Sequence, residues 1–318
     1  VTITRADVEA AAARTAGWVR STPVLRAEDL PRPAWLKLEF LQHTGTFKAR
    51  GAFNRILAAR EQGDLDARVG IVVASGGNAG LANAHAAARL GVPATVFVPT
   101  TAPQVKVDGL RRLGAEVVQL GAEYAVAYAG AVEHAAATGA VYCHAYDQPE
   151  IAAGAGVVGA ELLDQLAGEV DTVVVAVGGG GLMAGIAAAV EGAAQVVAVE
   201  PATIPTLHAA LAAGEPVDVG VSGVAADSLG ARRIGDIAFD VAVRARVRSV
   251  LVADDGIVAA RRRLWEQHRI VVEHGAAAAL AALLDGAHVP APGERVAVVL
   301  CGANTDPADL SARKPPPG

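Results

Sequence analysis

Four short segments present side chains or bare backbone able to do chemistry. In FLQHTGTFKARGAFNRI (40–56), Lys48 follows Phe47 in a turn that also holds Gly45, Thr46 and Gly51. A lone lysine is ordinarily a solvated charge, but an amine held against apolar neighbours can lose its proton and serve as nucleophile or base. ASGGNAG (74–80) sets backbone N–H groups, the Ser75 hydroxyl and the Asn78 amide at a helix start. That is a fit for a carboxylate-sized anion, although plain Ser or Asn capping would also account for it. Gly178 to Gly181 lie between a β-branched run and a helix, so backbone amides can approach a phosphate with no Cβ in the way. In VVLCGAN (298–304), Cys301 ends an apolar strand and reads either as a small buried hydrophobe or as a polar atom at the strand's mouth.

The elements that must position these groups alternate along the chain. RVGIVVASGG (68–77) is strand-like, NAGLANAHAAARLG (78–91) is an Ala-rich helix with Gly91 as its stop, and VPATVFVP (92–99) is strand-like again. A helix over 104–114 and a strand over 115–120 follow. A second unit starts with DTVVVAV (171–177), turns through the four glycines, and continues as a helix over 182–192 and a strand over 195–200. RVAVVLCG (295–302) adds a final strand, and KPPPG (314–318) reads as a frayed tail. Strand–helix–strand order with short connections predicts parallel sheets wrapped by helices, with ligands at the carboxyl ends of the strands. The second unit also satisfies G-x-G-x-x-A through Gly179, Gly181 and Ala184, with Glu200 about 20 residues on. A nicotinamide oxidoreductase is therefore a rival on that unit alone, but it gives Lys48 and Cys301 nothing to do.

Composition narrows the classes. Of 318 residues, 27 are Lys or Arg and 33 Asp or Glu, a net charge of −6 with no basic stripe, so nucleic acid is not an expected partner. The hydrophobic share of 53% excludes a disordered chain, and with only 4% aromatics the core must come from small, closely approaching Ala- and Val-rich elements. No apolar run approaches the roughly 20 residues that span a bilayer. The first residues lack a signal-peptide pattern, and Thr4 with Asp7 reads instead as a helix N-cap. Cys143 and Cys301 are too far apart for a metal or disulfide framework. The expected setting is cytoplasmic.

An amine, a phosphate cradle, a carboxylate-sized anion turn and a strand-end thiol are the parts that a pyridoxal-phosphate enzyme acting on amino acids needs. TFKARGA around Lys48, SGGNAG at 75–80, GGGGL at 178–182 and LCGAN at 300–304 occur in an order and spacing that resemble the serine/threonine dehydratase family. That family belongs to the fold-type II pyridoxal-phosphate enzymes. The resemblance runs from TPVL (22–25) to Asn304, and 75–99 looks most like the serine dehydratase branch. It implies an α/β fold of the tryptophan synthase β type, with two open twisted, largely parallel sheets wrapped by helices. A large domain of residues 1–43 and 146–318 would bind the cofactor, and a small one would span 44–145. By the same resemblance Lys48 forms the Schiff base and removes the Cα proton. Phe47 covers one ring face, Asn78 bonds the ring O3′, and Gly178, Gly179, Gly180, Gly181 and Leu182 hold the phosphate. Ser75, Gly76, Gly77, Asn78 and Ala79 receive the substrate carboxylate, Ser228 lies near the cofactor, and Cys301 faces the ring nitrogen. Glu200, Ile204 and Thr206 match a stretch that binds a monovalent or divalent cation in several relatives, although a single carboxylate is usually just solvated. Dimers are common in the family, and a homodimer is expected here.

The implied reaction is loss of water from L-threonine or L-serine, giving a 2-oxo acid and ammonia. A thiol with a pKa of about 8.5 stays neutral at pH 7 and does not hold the ring nitrogen protonated, which favours elimination over transamination. Serine racemases of this fold carry a serine where this chain has Gly76, so racemisation is not expected. About 14 residues follow Asn304, so the regulatory domain of feedback-controlled threonine dehydratases is not expected. Ser228, Ala303 and His274 depart from the family pattern and Asp227 fits the racemase and threonine branches, so the branch signals are mixed. One methyl group in a pocket is worth only about 1–3 kcal/mol, so both substrates are candidates. A β-replacement, a γ-elimination or a 3-hydroxyaspartate dehydratase on the same cofactor are the alternatives.

Overall fold

The structure, a computed structural model, describes residues 2–311; the tail at 314–318 lies outside the described residues. The strands of the described residues are β1 (Val24–Ala27), β2 (Ala34–Lys37), β3 (Ile71–Ala74), β4 (Ala94–Val98) and β5 (Glu116–Gln119). They continue as β6 (Val141–Tyr142), β7 (Thr172–Ala176), β8 (Gln195–Pro201), β9 (Arg248–Val252) and β10 (Val296–Val299). The alternating units expected from the pattern are present. Four short strands, β1, β2, β6 and β9, join them without having been marked by the periodicity. The helix at 78–90 ends on Gly91 at φ +70°, and Asp7 accepts from both the N–H and the hydroxyl of Thr4 at the start of the helix Arg5–Thr15.

One sheet has the order β1-β2-β10-β7-β8-β9 and the other β5-β4-β3-β6, all parallel except β1 against β2. The order in which strands are added reverses at two points. β7 leads on to β8 on one side and is met by β10 on the other; β3 likewise lies between β4 and β6. Loops leaving the carboxyl ends of such neighbours diverge and open a crevice. The four loops concerned are those after β3, β6, β7 and β10, and three of them carry motifs picked out above.

The core explains the composition. Helices Pro149–Gln165 and Gly181–Val190 meet at backbone distance: a Cβ on Gly185 would lie 2.2 Å from the Ala152 carbonyl oxygen and 2.4 Å from the Gly156 nitrogen. Gly185→Ala is therefore expected to lower stability by about 1–3 kcal/mol, despite alanine's better helix propensity. An unchanged denaturation midpoint would show that the two helices are not in backbone contact. Cys143 and Cys301 are both free and buried. No helix of the described residues is long and apolar enough to cross a membrane.

Candidate active site

The crevice holds a cavity of about 560 Å³, including its mouth, whose wall brings together Phe47, Lys48, Asn78, Gly178 to Gly181, Leu182, Ser228 and Cys301. These residues come from five regions of sequence, and every residue expected around the cofactor is among them. Ala79 lies in a small adjoining cavity with Lys48, Asn83 and His144. Ser75, Gly76 and Gly77 form the neighbouring loop, where the Ser75 hydroxyl accepts from the Gly77 N–H at 3.2 Å. They do not line either cavity.

Lys48 opens the helix Lys48–Gln62. Its Nζ donates to the Ala145 carbonyl at 2.7 Å and sits 5.0 Å from the centre of the Phe47 ring. Burial pushes the amine down to about 8, with Cys301 and Glu273 pulling the other way. A substantial neutral fraction near that pH is what a nucleophile or base requires. Burial drives the Cys301 thiol far above its ordinary value, and the neighbouring Glu273 carboxylate adds to this, so the thiol is neutral.

Glu273 is the residue that motif reading missed. It lines the cavity and accepts from Asn78 Nδ2 through both oxygens at 3.1 Å. Asn78 Oδ1 in turn accepts from Asn304 Nδ2 at 2.7 Å, which also donates to Thr44 O at 2.9 Å. Burial raises the Glu273 carboxyl, while its bond from Asn78 acts in the opposite sense. In VVEHGAAAAL (271–280) the only sequence signal is a carboxylate before an Ala-rich run, which reads as a helix start. That it is, since the helix His274–Leu284 begins one residue later. Ser228 has a partner on the same helix: its hydroxyl accepts from the Gly275 N–H at 3.0 Å.

The glycine turn is built for close approach. Gly180 sits at φ +89°, and a Cβ on Gly179 would fall 2.4 Å from the Tyr146 ring. Behind it, Thr206 Oγ1 lies 2.7 Å from the Gly178 carbonyl and 2.9 Å from Glu200 Oε1. Glu200 itself accepts from the backbone N–H groups of Leu207 (2.7 Å) and His208 (2.9 Å) and, at 3.4 Å, from the Ser249 hydroxyl. Both carboxylate oxygens are thus engaged in capping the helix Thr206–Ala213, with Ile204 fully buried alongside. That is a structural occupation for the residue the resemblance would give to a cation.

Known proteins resemble this chain over most of its length. A family model described as "Pyridoxal-phosphate dependent enzyme" fits residues 16–302. The chain is 40% identical to a phenylserine dehydratase of Ralstonia pickettii, over 98% of this chain and 97% of that protein. It is 36% identical to an L-threonine ammonia-lyase of Thermotoga maritima, over 86% of this chain and 67% of the other. Maize serine racemase superposes with a TM-score of 0.90 at 30% identity, covering 98% of this chain and 96% of the racemase. Fold, cavity and relatives agree: this chain is an enzyme of the fold-type II pyridoxal-phosphate-dependent class and belongs to its serine/threonine dehydratase family.

Proposed function

We propose that this enzyme removes water from L-threonine or L-serine to give 2-oxobutyrate or pyruvate and ammonia. The observation that carries this reading is that a partly neutral Lys48 amine, the tetraglycine turn and a neutral Cys301 thiol share one cavity. The residues fit pyridoxal phosphate. Backbone amides of Gly178 to Gly181, with Leu182 at the head of the helix, would take the phosphate where side chains are sterically excluded. Phe47 and Ser228 would flank the ring, Asn78 would reach its oxygen, and Cys301 its nitrogen. Bound there, the cofactor supplies the electron sink that acidifies the substrate's Cα–H bond.

The chain's own residues do the rest. Lys48 removes the Cα proton, its amine held by the Ala145 carbonyl. The loop 75–79 holds the substrate carboxylate at the start of the helix Asn78–Leu90. Cys301, being neutral, would meet the ring nitrogen without holding it protonated, which would favour loss of the β-hydroxyl over transamination. Gly76 has no proton to give, so L-serine is expected to yield pyruvate and no D-serine on chiral chromatography.

A second reading rests on the tyrosines. The chain has four, and all of them join His144 in one chain of ring contacts: Tyr124–Tyr128, Tyr128–Tyr142, Tyr142–His144 and His144–Tyr146. Tyr146 lines the cavity, and Tyr124 is half exposed at the far end. Tyr146, backed by the other rings, gives the cavity an aromatic face that suits a β-aryl substituent, as in the substrate that names the Ralstonia relative. Measuring kcat/KM for 2-oxo acid formation from L-threonine, L-serine and 3-phenylserine decides between the two. Turnover of the small substrates at least as efficient as that of phenylserine supports the first reading. A large preference for phenylserine establishes the second, and no 2-oxo acid from any of them overturns both.

A further inference from the structure

The turn between β6 and the helix Pro149–Gln165 touches both halves of the site, and one imidazole holds it together. His144 Nδ1 accepts from the N–H groups of Tyr146 (3.1 Å) and Asp147 (2.8 Å). Within the same turn the Ala145 carbonyl receives the Lys48 amine at 2.7 Å. Tyr146 lays its ring on Gly179, where a Cβ would lie 2.4 Å away. The Asp147 carboxylate accepts from the N–H groups of Asp236 and Ile237, both at 3.1 Å, at the start of the helix Asp236–Arg244. Gly235, just before that helix, donates to the Gly179 carbonyl at 3.1 Å. Four consecutive residues thereby connect the lysine to the glycine turn.

A ring nitrogen that accepts two N–H groups carries no proton, so His144 is the neutral tautomer with its hydrogen on Nε2. Protonating Nδ1 would set an N–H against two others at about hydrogen-bond distance, and both backbone donors would lose their acceptor. We propose that His144 is a proton-sensitive positioning residue: neutral, it holds the turn that sets Lys48 against the phosphate cradle, and protonated, it lets both go and the cofactor with them.

The groups facing it are few. Asp147 comes from its own turn and Lys48 from the helix Lys48–Gln62. Ring contacts come from Tyr128, Tyr142 and Tyr146, and the uncharged Ala79 and Asn83 line the same small cavity. Burial pushes the imidazole below its ordinary value of 6.5; Asp147 acts to raise it and Lys48 to lower it further. The neutral form is therefore favoured by folding. Its contribution is complete above pH 6.5 and is lost as the pH falls through the lower folded-state value.

The test is to titrate the cofactor-loaded enzyme from about pH 8 to about pH 5, following the visible band and the cofactor that passes an ultrafilter. His144→Asn puts an amide oxygen near the Nδ1 position, an acceptor that does not titrate. It is expected to move the midpoint of cofactor release down by at least about one pH unit. His144→Leu removes the acceptor and is expected to weaken cofactor binding about 10-fold or more even at pH 8. His43, His85 and His274, whose imidazoles burial also pushes down, are present in all three proteins, so the differences report His144. Release from the Asn variant at the parental pH would overturn the proposal, as would parental affinity in the Leu variant. If the Leu variant does not fold, the Asn variant decides alone. The inference rests on the cofactor placement proposed above. Failure of that placement has its own signature, a visible band that survives Lys48→Ala.

Discussion

Lys48→Ala is expected to abolish the visible band of the cofactor-loaded protein and to cut 2-oxo acid formation by about 10⁴-fold. The size of the effect follows from two duties on one amine, covalent attachment and Cα proton removal. Geometry leaves no substitute, because the amine lies against Phe47 with the Ala145 carbonyl as its hydrogen-bond acceptor. The fold should survive the change, since a desolvated amine is removed from the cavity wall and, among the described residues, Lys48 forms no salt bridge with a carboxylate. Circular dichroism and the denaturation midpoint check that point. Lys48→Arg should be as inactive as Lys48→Ala, because a guanidinium does not give up its proton in this pH range. Burial lowers the Lys48 amine to about 8, so capture of pyridoxal phosphate by the cofactor-free protein should accelerate as pH rises through that value. A Lys48→Ala protein that keeps its band and turnover would move the attachment to another amine.

What the sequence made legible here divides by the range of the interactions. The helix Asn78–Leu90 and its stop at Gly91 are local matters of cap and propensity, and they were readable within a residue. The four motif segments were readable because each puts unusual chemistry at a strand's carboxyl end, where a parallel sheet exposes its loops. Glu273 was not readable. Its burial exists only because 273 is folded against Gly302, whose carbonyl accepts from the Glu273 N–H at 3.1 Å. Nothing in VVEHG distinguishes it from a solvated cap. His144 is similar: its role depends on which nitrogen accepts, and that is set by the turn it closes. Glu200 shows the opposite case, in which family likeness offers a ligand while the fold provides four donors of the protein's own. Charges in particular escape a sequence reading, because an isolated Arg or Glu looks like surface until its partner is in place.

Arg50 is the extreme example and carries the largest stability effect we expect. Its guanidinium is fully buried two residues beyond Lys48. It donates to Glu39 at 2.6 and 3.0 Å and to Glu161 at 2.7 and 2.9 Å. Lys37, also fully buried, donates to Glu161 at 2.8 Å, to Gln165 Oε1 at 2.8 Å and to the Thr22 carbonyl at 2.7 Å. Two cations and two carboxylates thus close a neutral cluster that ties the first turn of the Lys48 helix to β2 and to the helix Pro149–Gln165. Burial works against the charge on Arg50, but Glu39 and Glu161 hold it firmly protonated. Burial likewise works to raise Glu161, and Arg50 and Lys37 outweigh it, so that carboxyl lies below its ordinary value of 4.5. The stability it contributes is present above that pH and lost as the solution becomes more acidic. Arg50→Met leaves the buried Glu39 carboxyl without its cation, with Thr22 Oγ1 at 2.6 Å as its one remaining side-chain donor among the described residues. The expected cost is about 3–5 kcal/mol, read as a shift in the denaturant midpoint. Adding Glu39→Leu removes the stranded charge and leaves Lys37 paired with Glu161, so the double variant should recover most of the loss. Parental stability in the single variant would show that the network contributes little. A double variant no better than the single would show that packing around the guanidinium stem, and not the stranded carboxylate, sets the cost.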